Sequence, residues 1–243
     1  MTKETDKGMK TTEVAQLPNE IIDAIFKEVP LINRAIDSQF EDREFFIRSS
    51  KIFEVQPGEV IIKKGEFENW IYFLLAGQLL VYPEFSDDKK NLVCYISPGE
   101  MFGELAYIRE LNRNATIVAD DNCEKIIFLG MDFSDFGEID DFSKVSISTK
   151  ISFYRSAVRI IRKRLENMKI DNPDNELAMK SPVHKPHIGQ ANSLRELLYL
   201  QDQSKTYAKY LHKWNRSLEI DSNYHTAKGN IPIDEIKSLM NGH

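Results

Sequence analysis

Histidine is scarce in this sequence and is confined to its last quarter. The chain has 243 residues and five histidines, none of them before residue 184. Metal enzymes built on a β-barrel need histidine ligands, and nucleophiles of the triad type need a histidine base. The first 183 residues lack the side chains for either kind of active site, so we expect a protein that is not an enzyme. The histidines are His184, His187, His212, His225 and His243.

Cysteine and long apolar segments are scarce as well. Cys94 and Cys123 lie in apolar runs without a Cys-x-x-Cys partner, which predicts free thiols in a reducing compartment rather than a disulfide or a metal site. No apolar run approaches the roughly 20 residues of a membrane helix. Residues 1–16 are polar and lack the apolar segment of a signal peptide. We expect a cytoplasmic protein without membrane contact, whose residues 1–16 form a disordered tail.

Positive charge is scarce in the front of the chain. The formal net charge is -6, and residues 180–243 carry 9 Lys and Arg against 6 Asp and Glu, which leaves 23 against 32 before them. The two parts therefore have net charges of +3 and -9. Because nucleic-acid binding depends on neutralising phosphates, we expect no nucleic-acid binding by the front region and treat DNA as a possible partner of the tail only.

Short strand-like runs occupy the middle of the chain. From Ile52 to Gly130, runs such as WIYFLLA alternate with Gly, Pro, Asp and Asn, which is typical of antiparallel strands joined by turns. Helical spacing precedes them and is broken at Pro30. We predict an α+β fold with a jelly-roll-like antiparallel β-roll. Its parts are N-terminal helices and β-roll at 17–142, a long helix at 143–172, a linker at 173–190 and a helical output region at 191–243.

The predicted long helix has an apolar stripe with coiled-coil spacing. Its apolar positions recur at intervals of 4 and 3, which is the a/d pattern of a heptad repeat. Such a narrow stripe favours contact with an identical helix, and packing against the chain's own barrel is the alternative. We predict a homodimer through the first six positions of the stripe Ile147, Ile151, Tyr154, Val158, Ile161, Leu165 and Met168.

The stretch GEMFGELAYIRELNRNATIV, residues 99–118, has residue types suited to a nucleotide. Gly103 at the start of a short helix permits close approach of a ligand to free backbone amides. Glu104 would repel a phosphate but can accept hydrogen bonds from a sugar hydroxyl. Arg113 supplies a fork of donors that matches a phosphate. A triphosphate would require a glycine-rich loop with lysine and a metal, and neither occurs.

This stretch resembles the phosphate-binding cassette of cyclic nucleotide-binding domains, Phe-Gly-Glu-Leu-Ala followed by Arg-x-Ala-Thr. The resemblance extends over about residues 20–170 and includes the turn glycines of the β-roll. It implies that Glu104 binds the ribose 2′-hydroxyl of cAMP or cGMP, that Arg113 pairs with the cyclic phosphate, and that no metal takes part. Asn114 departs from the small residue usual at that position, so the resemblance does not indicate which base is bound. The implied ligand-binding set is Phe102, Gly103, Glu104, Leu105, Ala106, Arg113, Asn114, Ala115 and Thr116.

The lid over the base and the role of the tail follow less directly from the resemblance. The long helix or a segment after it closes over the purine in this family, which makes Tyr154, Met168 and Lys169 candidates for capping the base. We expect a sensor whose tail binds a protein partner. The alternative is a regulator resembling the catabolite-activator family, with a second helix from Ser204 and a wing at GNIPID that contact DNA. The HKPH segment at 184–187 is expected to be solvated rather than to bind a metal.

Overall fold

The computed structural model describes residues 9–36, 41–83, 92–180, 182–184 and 186–220. The strands are β1 (Lys10–Glu13), β2 (Ser50–Val55), β3 (Val60–Ile62), β4 (Trp70–Ala76), β5 (Leu79–Tyr82), β6 (Cys94–Ile96), β7 (Met101–Phe102), β8 (Thr116–Ala119) and β9 (Ile126–Asp132). The helices are α1 (Asn19–Glu28), α2 (Pro30–Ile36), α3 (Glu41–Ser49), α4 (Glu104–Arg109), α5 (Ile147–Asp171) and α6 (Leu194–Ile220).

The strands form two antiparallel sheets. One sheet has the order β1-β2-β9-β4-β7 and the other the order β3-β8-β5-β6. The inward faces of the two sheets share an apolar core that includes Leu74, Phe102, Ile117 and Phe128. This arrangement confirms the predicted combination of antiparallel sheets and helices.

A second apolar core lies between the first sheet and the helices. Phe26 and Phe46 from the N-terminal helices pack there with Phe153 of α5 and Trp214 of α6, all of them buried. Since one core joins the N-terminal helices, α5 and α6, the helical segments are held on the sheets by burial of apolar surface. None of the helices in the described ranges is long and apolar enough to cross a membrane.

The N-terminal segment is more ordered than its composition predicts. Residues 10–13 pair with β2 in antiparallel register, from Lys10 opposite Glu54 to Glu13 opposite Lys51. Val14, which follows, is fully buried at the start of a 3-10 turn over Val14–Gln16. The prediction of a disordered tail through residue 16 is therefore wrong for residues 10–16, because backbone pairing to an edge strand does not need an apolar sequence. Residues 1–8 lie outside the described residues.

The turns of the β-roll depend on glycines with positive φ. At Gly77, φ is +87° and an added Cβ would lie 2.8 Å from the carbonyl oxygen of Lys125. At Gly65, φ is +89° and an added Cβ would meet nothing within 4 Å. Alanine variants at Gly65 and Gly77 therefore separate two costs to stability. At Gly65 only the left-handed backbone contributes, and at Gly77 a steric clash is added.

We expect Gly65→Ala to lower the free energy of unfolding by about 1–2 kcal/mol, the cost of a left-handed non-glycine residue. Gly77→Ala should cost more, by about 1–3 kcal/mol in addition, because the backbone of β9 must also shift. Urea unfolding of the two variants beside the parent measures both values. Equal losses would show that the contact at Lys125 is easily relieved.

The apolar stripe of α5 is buried inside its own chain. Ile151 and Ile161 are fully buried, Leu165 is 3% exposed, and α5 packs along α6 and against α2. This packing inside the chain gives no support to a homodimer through the stripe, and the homodimer stays a prediction. The heptad spacing specifies an apolar face of a helix but not which helix covers it. The buried positions of the stripe are Ile151, Tyr154, Val158, Ile161, Leu165 and Met168, and Ile147 is partly buried.

Helix α6 runs without interruption through the segment where a helix-turn-helix was the alternative. Ser204 is fully buried in the middle of α6, and its hydroxyl donates to the carbonyl of Gln201 at 2.7 Å. The alternative in which a second helix begins at Ser204 is therefore wrong. The GNIPID segment, assigned to a wing, lies outside the described residues.

The predicted linker packs along α6 instead of standing free. Tyr210 donates its hydroxyl to the carbonyl of Leu177 at 2.5 Å, and Asn175 donates to the Ser217 hydroxyl at 2.6 Å. The rings of His184 and His187 lie 5.1 and 5.5 Å from those of Tyr207 and Tyr199, so the HKPH histidines contact tyrosines. No cluster of three metal-ligating side chains occurs among the residues that the structure describes.

Candidate functional site

The turn between β7 and α4 requires glycine for two reasons. Gly103 has a φ of +81°, and an added Cβ would lie 2.8 Å from Nη1 of Arg113 and 3.3 Å from the carbonyl oxygen of Trp70. A side chain would therefore strain the backbone and displace the guanidinium. The turn places Glu104 as the first residue of α4.

Arg113 is buried and holds the turn with two of its nitrogens. It is 4% exposed, its Nη1 donates to the carbonyl of Gly103 at 2.6 Å, and its Nη2 donates to that of Trp70 at 2.6 Å. The guanidinium carbon lies 5.9 Å from the centre of the Tyr72 ring, and Nη2 is 3.6 Å from Glu68. Its Nε has no hydrogen-bond partner among the described residues. Arg113 is thus preorganised by backbone carbonyls and keeps donor capacity.

Glu104 is fully buried and forms its salt bridge with α5. Its Oε1 accepts from Nη1 of Arg164 at 2.7 Å, and Nη2 of Arg164 donates to the carbonyl of Met101 at 2.6 Å. Burial opposes the charge of Arg164, but the Glu104 carboxylate raises the pKa of the guanidinium above its ordinary value. Glu104 Oε2 has no partner in the described part of the chain. One oxygen of Glu104 is therefore tied to the long helix and the other is unpaired.

One cavity collects nearly all of the predicted ligand-binding residues. It encloses about 560 Å³ including its opening toward solvent, and much of it is narrow. The binding set contributes Phe102, Gly103, Glu104, Leu105, Ala106, Arg113, Asn114 and Ala115. The side chain of Thr116 instead accepts a hydrogen bond from the backbone of Lys64 at 3.1 Å. The stretch 99–118 thus brings the Glu104 carboxylate and the Arg113 guanidinium to the same cavity. The salt bridge of Glu104 is made with Arg164 and not with Arg113.

Several polar atoms in the cavity wall have no partner. Buried polar groups are nearly always hydrogen-bonded, and each exception costs about 1–3 kcal/mol. Several such atoms around one cavity indicate that a polar ligand or ordered water completes them. The unpaired atoms in the wall, counted among the described residues, are Glu104 Oε2, Arg113 Nε, Asn114 Nδ2, Arg164 Nε and Asn215 Oδ1.

The helical side of the cavity differs in part from the predicted lid. Of the three candidates for capping the base, the described wall includes Met168 but not Tyr154 or Lys169. Tyr154 is 5% exposed in the helical core, and Lys169 pairs with Glu166 at 3.0 Å. These two positions remain predictions without support from the cavity.

On the helical side of this wall, sequence reasoning missed three residues: Arg164, Leu211 and Asn215. In the sequence, Arg164 is one of several charged residues beside the stripe of α5, and its spacing does not distinguish it from the others. Leu211 and Asn215 carry no sequence signal, because only the packing of α6 against α4 and α5 brings them to the cavity.

Cys94 places a free thiol in the same wall, whereas Cys123 is a free thiol elsewhere. Burial raises the pKa of the Cys94 thiol, and the nearby Arg164 offsets part of that shift. The thiol is therefore a weak nucleophile near neutral pH, since the thiolate is the reactive form. Because Cys94 lines the cavity, the rate at which a thiol reagent modifies it depends on whether a ligand is bound there.

Part of the cavity wall lies in a segment that is similar to known proteins. Residues 52–139 match the family model of the cyclic nucleotide-binding domain. A lysophospholipase of Chaetomium globosum is 26% identical over 59% of this chain and 9% of its own length. The cAMP-dependent protein kinase regulatory subunit of Schizosaccharomyces pombe is 28% identical over 41% of this chain and 22% of its own length. The chain thus spans less than a quarter of either relative.

Part of the chain also matches solved structures. The regulatory domain of Toxoplasma gondii PKA, determined with cAMP, has a TM-score of 0.40 and 20% identity, and the match covers 48% of this chain and 43% of that one. The segment matched by the family model contains both Glu104 and Arg113. The similarity to the cyclic nucleotide-binding domain family is thus a match of its family model to residues 52–139 of this chain.

Proposed function

We propose that this protein is a cyclic nucleotide sensor, which binds cAMP or cGMP in the cavity beside α4 and couples binding to helices α5 and α6. The observation that carries the proposal is the convergence of Glu104 and Arg113 on one cavity, each with a buried polar atom left unpaired. A ribose hydroxyl complements the free carboxylate oxygen, and a cyclic phosphate complements the guanidinium.

In this proposal the cassette supplies the whole phosphate and sugar site. Arg113 neutralises the single charge of the ring phosphodiester, and the backbone amides at Gly103, Leu105 and Ala106 donate to its oxygens. Glu104 keeps Arg164 on Oε1 and accepts from the 2′-hydroxyl on Oε2. The protein binds the ligand without transforming it. No metal has a role, because the Arg113 guanidinium and the backbone amides are the partners of the phosphate.

The output of the sensor is proposed to pass through the helices that form the far wall. Arg164, Met168, Leu211 and Asn215 belong to α5 and α6, so a bound nucleotide lies against both helices. The narrow cavity admits a nucleotide only if these helices or their side chains shift. A ligand that contacts one placement of α5 and α6 better than another changes the population of the two placements. The surface of α6 is then the natural contact for a protein partner.

Protection of Cys94 from a thiol reagent tests the location of the ligand. We expect saturating cAMP or cGMP to slow modification of Cys94 by about tenfold or more, since the ligand fills the space beside the thiol. Cys123 is the matched control and should react at an unchanged rate. Mass spectrometry of the two cysteine peptides over time, at mildly alkaline pH, measures both. Equal rates at Cys94 with and without nucleotide would overturn the proposed site.

A further inference from the structure

Asn215 brings an amide to the cavity from a part of the chain that lies outside the matched domain. It is 6% exposed on α6, beside the fully buried Trp214, which anchors that helix in the core. Its Oδ1 has no hydrogen-bond partner among the described residues, and Asn215 lines the cavity together with Leu211 one turn earlier. The packing of α6 therefore holds an amide with an unused acceptor at the cavity wall.

The other groups on the helical side are apolar or already engaged. Leu211 and Met168 offer only apolar surface, and Arg164 donates to Glu104 and to the carbonyl of Met101. Arg164 keeps one unpaired donor, Nε, so Asn215 is the uncharged polar side chain of α5 and α6 in the described wall that offers an unused acceptor. Arg113 and Glu104 lie on the cassette side, where the phosphate and the sugar are proposed to bind. The part of the nucleotide left for α6 is the base.

We propose that Asn215 reads the base of the bound nucleotide and selects adenine over guanine. This inference rests on the proposed binding of a cyclic nucleotide. A carboxamide has one acceptor and one donor, and the adenine N6 amine and N7 present the complementary pair, which is the usual way asparagine binds adenine. The unpaired Oδ1 accepts from the N6 amine, and rotation of the side chain lets Nδ2 donate to N7.

Guanine suits this wall poorly. Its O6 and N7 are both acceptors, so the edge that an amide reads on adenine would place O6 opposite the amide oxygen. Its 2-amino group adds a further donor that must be buried beside apolar side chains. Each polar group left without a partner weakens binding. We therefore expect cAMP to bind about tenfold to a hundredfold more tightly than cGMP.

A ligand series on the full chain tests the proposal. The probes are cAMP, cGMP and the cyclic monophosphate of unsubstituted purine riboside, which lacks the 6-amino group. Calorimetric titration of the parent protein should rank cAMP first. The variant Asn215→Leu keeps the size of the side chain and removes the amide. It should lower affinity for cAMP about tenfold more than affinity for the purine analogue, because the analogue keeps N7 but offers no N6 amine. The ratio of the affinities for cAMP and for the purine analogue reports contact with the base. A general loss of stability would not change this ratio.

The outcomes separate this inference from the function on which it rests. If the parent protein binds cAMP and cGMP equally, or Asn215→Leu keeps the preference for cAMP over the purine analogue, base selection by Asn215 is wrong while cyclic nucleotide binding stands. If the parent protein binds none of the three probes, both the proposed function and this inference fail. Should Asn215→Leu fail to fold, the ranking of the three ligands on the parent protein still decides whether the 6-amino group is read.

Discussion

Replacement of Arg113 by alanine is expected to weaken binding of a cyclic nucleotide by about 2–4 kcal/mol, because it leaves a buried phosphate charge without its partner. The guanidinium is held in place by the carbonyls of Gly103 and Trp70, so its position is fixed before the ligand arrives. Arg113→Lys should recover only part of the loss, since lysine keeps the charge but not the fork of donors. Calorimetric titration with cAMP and cGMP measures the three affinities.

The same variant also loses the two hydrogen bonds that hold the turn, so binding must be measured on folded protein. Circular dichroism and a thermal unfolding curve establish the fraction of the variant that is folded. Arg162→Ala is the matched control, because Arg162 is exposed on α5 and absent from the described cavity wall. Affinity of Arg113→Ala equal to that of this control would remove Arg113 from the site.

Replacement of Arg164 by methionine is expected to lower the free energy of unfolding by about 3–5 kcal/mol, the cost of leaving one member of a buried ion pair uncompensated. Glu104 is fully buried, and its side chain has Arg164 as its salt-bridge partner at 2.7 Å. The double variant Glu104→Gln, Arg164→Met should recover much of the loss, because it removes the charge that the single variant strands. Urea unfolding of the parent, the two single variants and the double variant gives the coupling energy.

Arg162→Met serves as the control for that series and should change the free energy of unfolding by less than about 0.5 kcal/mol, as expected for an exposed position. A loss in Arg164→Met no larger than in Arg162→Met would contradict the buried pair. A double variant as unstable as the sum of the two single variants would show that Glu104 and Arg164 contribute independently.

The features that sequence predicted well depend on short spacings. Glu104 and Arg113 are nine residues apart on one helix and the loop after it, so local chain geometry is enough to bring both to the cavity. The turn glycines are local in one respect, since Gly77 and Gly103 both have a positive φ, whereas the atoms that an added Cβ would meet belong mostly to distant segments. Antiparallel strands between such turns follow from alternation and turn chemistry alone.

The features that sequence missed depend on contacts between distant segments. The stripe of α5 specified one apolar face, but its spacing did not indicate that α5 packs along α6 of the same chain. Ser204 suggested a helix start, yet it is tolerated inside α6 because its hydroxyl bonds to the carbonyl of Gln201. Arg164 and Asn215 reach the cavity only through tertiary packing, which no local pattern encodes. The strand at residues 10–13 is likewise defined by its pairing with β2.

Calorimetric titration of the full chain with cAMP and cGMP, with 5′-AMP as the acyclic control, tests the central claim most directly. We expect saturable binding of a cyclic nucleotide at one site per chain. Binding of 5′-AMP should be weaker by about tenfold or more, because its second phosphate charge has no further guanidinium to meet in the cassette. Absence of binding by both cyclic nucleotides, at concentrations that saturate a weak site, would contradict the account.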